Sequence, residues 1–179
     1  MTENYENTYI KLAKYRKLFI SEDITNTLAA ELSAMLLYFD NINNELPIEI
    51  YLHTDGGSAE GLMNIYDIMQ IINAPIKTIC TGKCYSAGAI LLSAGAKGER
   101  YAFKNSSIMI HGIQFTFPYG DMIESQNYYN FINDNNHNVM KILAKHTNKS
   151  LKEIKNDCKE DIYLTARRAL SYGIIDHII

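Results

Sequence analysis

The spacing of apolar residues changes repeatedly along this chain, and each change predicts a strand or a helix. Short runs rich in β-branched and aromatic residues predict buried strands at residues 17–20, 48–52, 76–80, 100–103 and 107–110. Apolar residues three or four positions apart predict helices around residues 28–39, 62–72 and 122–145, and shorter helices are expected from Ser86, Ser150 and Thr165. Strands that alternate with helices indicate an α/β domain whose functional groups gather at strand ends.

Glycine, proline and capping residues predict where these elements begin and end. The strand at 48–52 leads into a turn at His53-Thr-Asp-Gly-Gly57, and the strand at 76–80 leads into a turn at Gly82. A loop is expected at Pro118-Tyr-Gly120. Ser150 and Glu153 have the spacing of a capping box, and Gly173 ends the last helix.

Composition limits the class of protein. The chain has 179 residues, is 47% apolar and is long enough for one domain with a sizeable core. Its net charge of −3, without a basic run, argues against a nucleic-acid groove or binding to an anionic membrane. The three cysteines lack zinc-ligand spacing, and the polar N-terminus resembles no targeting signal, so we expect a soluble cytoplasmic protein without a metal.

Ser86 is the candidate nucleophile. It lies where the apolar strand at 76–80 gives way to the apolar helix Ala87-Gly-Ala-Ile-Leu-Leu-Ser-Ala94. Free backbone N–H groups at a helix N-terminus favour the negative charge that develops during acyl transfer. Serine is also a common helix N-cap, however, and the local sequence leaves both interpretations open.

A nucleophilic serine needs a base and a group that orients the base. His111 is the best candidate base among five histidines, because it follows the buried strand at 107–110 directly. A hydrogen-bonded core histidine remains the alternative for this position. For the acid, Asp157, Asp161 and Asp176 all flank the last helices, and Asp161 precedes the apolar segment Ile162-Tyr-Leu164.

Several ordered motifs resemble the proteolytic subunit of the Clp protease (ClpP) from about Leu18 to Ile179. These motifs are Asp55-Gly-Gly57, Ile65-Tyr-Asp-Ile-Met-Gln70, Ser86-Ala-Gly-Ala89, Ala94-Gly-Ala-Lys-Gly98, Met109-Ile-His111 and Ala169-Leu-Ser-Tyr-Gly-Ile-Ile-Asp176. Their order and spacing together are much more specific than any one of them. From this resemblance we expect residues 1–17 to be a short N-terminal segment, a possible axial or gating region, and residues 18–179 to be a single ClpP-like serine peptidase domain.

The resemblance implies a serine endopeptidase with the ClpP/crotonase-like fold, an α/β spiral of β-β-α units with a protruding helix-strand handle. It implies Ser86 as the nucleophile, His111 as the base and Asp161 as the acid. The backbone N–H groups of Gly57 and Ala87 would bind the oxyanion. It also implies two stacked heptameric rings that enclose a chamber where unfolded polypeptides are cut.

The resemblance implies a separate Clp-type AAA+ unfoldase as partner. The chain has no G-x-x-x-x-G-K-[ST] loop, so we expect the partner to use ATP and this chain to bind no cofactor. The chain departs from the family in several places. Family members usually carry proline where this chain has Asp55. Among the tyrosines that commonly line the docking cleft, Tyr51 is kept, whereas Glu49 replaces another.

Two other functions compete with proteolysis. A crotonase-type acyl-CoA enzyme would use a similar backbone oxyanion site but would not need serine, histidine and aspartate together. A catalytically latent ring subunit would serve assembly alone, although all three residues of the expected triad are present.

Overall fold

A computed structural model describes residues 2–114 and 121–179, so the loop expected at 118–120 lies outside the described residues. The described residues form seven helices, which are α1 (Thr2–Ala13), α2 (Asn26–Ile42), α3 (Ala59–Ile71), α4 (Ala87–Ser93), α5 (Met122–His146), α6 (Leu151–Asp157) and α7 (Ala166–Tyr172). They also form seven strands, which are β1 (Lys17–Ile20), β2 (Ile48–Thr54), β3 (Ile76–Tyr85), β4 (Arg100–Ala102), β5 (Ser107–Ile110), β6 (Ile162–Thr165) and β7 (His177–Ile178).

The strands make one mixed sheet. The path β1-β2-β3-β4-β7 is parallel throughout, as expected when helices connect successive strands. β3 is long enough to pair with two strands in turn, with β4 along its first half and with β5 along its second half. β6 then joins the outer side of β5 in the antiparallel direction. The end of β3 and the end of β5 therefore reach the same region of the molecule.

The prediction of a turn at Gly82 is wrong. β3 continues through Gly82 to Tyr85, and its register with β2 shifts, because the three residues from Leu52 to Thr54 face the five residues from Cys80 to Cys84. Gly82 has φ of 159°, and a Cβ added there would lie 2.6 Å from Nδ1 of His53. The glycine marks a β-bulge with a close side-chain approach rather than a chain reversal.

Most predicted helix ends are confirmed. Ser150 and Glu153 form a capping box, the side chain of Thr165 accepts a hydrogen bond from the N–H of Arg168, and Gly173 ends α7 with φ of 91°. The pattern of apolar residues predicted neither α1 nor the strands β6 and β7. β7 has two residues, both exposed, and only Leu164 of β6 is buried, so neither strand forms the buried apolar run that marks β5.

Helix α5 divides into two halves. Its last turns carry the buried side chains Val139, Met140, Ile142 and Leu143, which pack into the core. None of its side chains from 122 to 138 is buried, and Met122 is 89% exposed. The first half of this helix therefore has only limited contact with the core of its own subunit.

Candidate active site

Ser86 occupies a strained joint between β3 and α4. Its backbone has φ of 52° and ψ of −120°, a conformation that non-glycine residues rarely adopt. Ser86 is the residue before the first helical position, but its side chain makes no capping hydrogen bond. Its N–H instead donates to the carbonyl oxygen of Met109, which fixes the joint against β5. The hydroxyl is thus not used as a cap.

The turn after β2 packs against this joint. A Cβ added at Gly56 would lie 2.8 Å from the Cβ of Ser86 and 2.9 Å from the carbonyl oxygen of Tyr85. Gly56 also has φ of 110°, so a side chain there is excluded by conformation and by space alike. The glycine pair lets two backbone segments approach each other beside the serine.

His111 contacts the serine directly. β5 runs parallel to β3 with Tyr85 beside Met109, so the residues that follow each strand emerge at the same edge of the sheet. His111 Nε2 lies 2.7 Å from Ser86 Oγ, a hydrogen-bond distance, and the imidazole is mostly buried. No other described histidine has a contact with Ser86. His146 lies beside the hydroxyl of Tyr66, and His177 beside the carbonyl oxygen of Gly98.

Asp161 lies opposite His111 because β6 runs antiparallel to β5. Ile110 pairs with Ile162, so the residue after β5 faces the residue before β6. Oδ1 of Asp161 is 3.4 Å from His111 Nδ1, which is a close contact but not a hydrogen bond. Nδ1 is buried and has no hydrogen-bond partner among the described residues, while the Asp161 carboxylate is 42% exposed.

The other candidate acids have different partners. Asp157 accepts a hydrogen bond from the hydroxyl of Tyr172 at 2.7 Å. Asp176 binds the guanidinium group of Arg100 through both carboxylate oxygens. Among the three aspartates considered, the structure brings only Asp161 to His111.

Gly57 and Ala87, which line the cavity at Ser86, have backbone N–H groups that donate to no backbone acceptor among the described residues. Ala87 is the first residue of α4, so its N–H has no acceptor within the helix. Gly57 has φ of 143° and pairs with Ile24 through an isolated bridge, and no backbone hydrogen bond from its N–H is found in the described chain. Both donors border the same cavity as Ser86 and His111.

This cavity has a volume of about 250 Å³. Its wall combines the polar groups named above with side chains from three helices, which are Leu62, Ile90 and Val139. The sequence predicted Leu62 and Ile90 only as apolar residues of helices. Their role in the cavity depends on how α3, α4 and α5 pack together, which no local motif reveals.

Comparisons with known proteins show the family of this chain. The family model described as Clp protease matches residues 1–179, which extends the likeness over the N-terminal segment that the sequence motifs left unmatched. The ATP-dependent Clp protease proteolytic subunit 1 of Thermobifida fusca (strain YX) is 38% identical over 173 residues, covering 97% of this chain and 78% of that protein.

The chain belongs to the Clp protease family, and the expected α/β ClpP-like fold is confirmed. It is a serine-type endopeptidase of the proteolytic-subunit class, and this too was expected from its motifs. Membership of this family implies assembly into a ring and work with an ATPase partner. Within residues 2–114 and 121–179, no cluster of three or more metal-ligating side chains occurs, and no helix could cross a membrane.

Proposed function

We propose that Ser86, His111 and Asp161 form the catalytic triad that hydrolyses peptide bonds. The observation that carries this proposal is the 2.7 Å contact between Ser86 Oγ and His111 Nε2 at a strained strand-to-helix joint. His111 takes the hydroxyl proton as Oγ attacks the scissile carbonyl, and later gives it to the leaving amine. Asp161 orients the imidazole and stabilises its charged form.

The backbone N–H groups of Gly57 and Ala87 receive the oxyanion of the tetrahedral intermediate. Such donors act most strongly when they are fixed before the reaction begins. Gly57 is held by its bridge to Ile24, and Ala87 by helix α4, whose seven residues are all buried. Collapse of the intermediate leaves an acyl group on Ser86, and a water activated by His111 releases it.

The family membership supports a finer proposal for partners and location. The subunits would form two stacked heptameric rings, and a Clp-type AAA+ unfoldase would use ATP to feed polypeptides into the chamber. Tyr51 supports a docking role, because its ring stacks on Phe19 with centroids 4.9 Å apart. Its hydroxyl donates to Glu49, which holds that carboxylate next to the two stacked rings. We place this protease in the cytoplasm.

A fluorophosphonate probe tests the triad, because it reacts with an activated serine whatever the peptide preference. We expect the assembled parent protein to gain one probe per subunit by intact mass, and Ser86→Ala to gain none. His111→Ala and Asp161→Asn should lose about 10³-fold or more in peptide cleavage. Ser171→Ala, which changes an exposed serine on α7, is the matched control and should label like the parent.

One observation favours a second candidate function. His111 and Asp161 do not form a hydrogen bond, and an incompletely formed triad is what a latent ring subunit would have. Rings of the correct size by light scattering that neither take the probe nor cut peptides would refute the peptidase proposal and support that structural role.

A further inference from the structure

A carboxylate lies in the turn that carries one of the proposed oxyanion donors. Asp55 follows β2 directly and lies two positions before Gly57. Its side chain is 59% exposed and is not used by the mechanism described above. The tetrahedral intermediate carries its negative charge on the oxygen that these donors hold. An unpaired carboxylate so close by would oppose that charge.

Lys83 pairs with this carboxylate. It lies in β3, three positions before Ser86, and its Nζ is 2.5 Å from Oδ2 of Asp55. The strand register explains the contact, because Thr54 pairs with Cys84. Asp55, one residue after Thr54, and Lys83, one residue before Cys84, are therefore diagonal neighbours on the face of the sheet opposite to that of Thr54 and Cys84. The pair is therefore fixed by the sheet.

The ion pair also joins the two segments that supply the oxyanion donors. Asp55 belongs to the turn that carries Gly57, and Lys83 belongs to the strand that leads to Ala87. Both side chains are too exposed for the pair to contribute much to folding stability. The effect of the pair on the rate of catalysis is therefore a better test of its role than its effect on stability.

We propose that Lys83 is a positioning residue whose ammonium group neutralises Asp55 beside the oxyanion donors. This inference rests on the proposed function of Ser86 and His111. Because Asp55 is two residues from Gly57, its carboxylate lies within about 10 Å of the oxygen that the Gly57 N–H would hold. A free unit charge at about that distance, at an effective dielectric constant between those of the protein surface and water, changes the rate by about threefold to tenfold.

Peptidase kinetics on assembled rings test this proposal. We expect Lys83→Met to lower kcat by about threefold to tenfold with KM unchanged, and Lys83→Arg to keep the parent kcat. Asp55→Asn should keep at least the parent kcat, because the ammonium group that then remains unpaired favours the oxyanion instead of opposing it. Its addition to Lys83→Met should restore kcat, because no free carboxylate then remains. Raised salt should shrink the deficit of Lys83→Met alone.

Two results would overturn the inference: a parental kcat in Lys83→Met, or a double variant no faster than Lys83→Met. Where Lys83→Met does not assemble, Lys83→Gln carries the same test. Ser86→Ala separates the two proposals. If Ser86→Ala cuts peptides, the proposed function fails, whereas an inactive Ser86→Ala beside a fully active Lys83→Met refutes only the role of Lys83.

Discussion

Replacing Asp176 with alanine should destabilise the protein far more than replacing a partner in a surface ion pair. Asp176 follows α7 and accepts two hydrogen bonds from the guanidinium group of Arg100, and others from the N–H groups of Gly98 and Arg100. Arg100 is only 6% exposed. Its remaining arm donates to carbonyl oxygens at the C-terminal ends of three helices, so the pair ties the edge of the sheet to the helices around it.

The expected loss of folding stability follows from the Arg100 charge, which remains buried when Asp176 is removed. Asp176→Ala leaves a buried guanidinium group without its counter-charge, which costs about 3–5 kcal/mol. The free energy of unfolding of a domain is about 5–15 kcal/mol, so this loss is a large fraction of it. The double variant Arg100→Met/Asp176→Leu should lose less, because no unpaired charge then remains buried. The control Lys149→Ala breaks an exposed i,i+4 pair and should lose about 0.5 kcal/mol or less.

The assay is guanidinium denaturation of each variant at one fixed protein concentration, since ring assembly adds to the apparent stability. A loss in Asp176→Ala no larger than that in Lys149→Ala would refute this reasoning. The pH dependence gives a second readout. Burial alone would raise the pKa of Asp176, but the hydrogen bonds and charge of Arg100 outweigh it and lower this pKa. The stabilisation is therefore complete above the unfolded pKa of about 3.9 and is lost as the pH falls through the folded value.

Other predictions concern the cavity, the thiols and a buried imidazole. Peptides with an apolar side chain before the scissile bond should be cut faster than those with lysine or aspartate there. Leu62→Phe should shift the preference to smaller side chains, and kcat/KM across a peptide series checks both. A thiol reagent should label no cysteine in the native protein and all three after denaturation. All three are at most 5% exposed, and burial raises the pKa of Cys84 and that of Cys158, the latter to about 11. Rapid labelling of the native protein would contradict this. Burial, followed by two neighbouring cations, lowers the pKa of His146 to about 4, so stability should fall as the pH drops from about 6.5 to 4. His146→Asn should flatten denaturation midpoints over that range, and an unchanged slope would contradict the assignment.

The sequence predicts the bounds of a strand well where both of its ends are marked. β1 and β5 have the predicted bounds, because their apolar runs are bounded by polar residues on both sides. The turn expected at Gly82 is wrong for a physical reason. A glycine can serve either a chain reversal or a close approach, and only the position of His53 shows that this one serves an approach.

Local sequence is also insufficient to identify the residues of the candidate site. Serine at a helix start fits a cap and a nucleophile equally well, and the distinction depends on what lies opposite its hydroxyl. His111 reaches Ser86 through the parallel pairing of β3 with β5, and Asp161 reaches His111 through the antiparallel pairing of β5 with β6. β6 was not predicted from periodicity, so the position of Asp161 beside His111 rested on the family resemblance.

The strain at the site is sustained by the fold around it. A positive φ at Ser86 costs about 1–3 kcal/mol, and no contact of its hydroxyl with His111 is strong enough to impose that conformation alone. The hydrogen bond from Ser86 N–H to β5, the buried helix α4 and the absence of a side chain at Gly56 hold the joint instead. The scaffold therefore maintains the strained backbone whether or not His111 is present, so a loss of activity in His111→Ala would measure proton transfer rather than collapse of the joint.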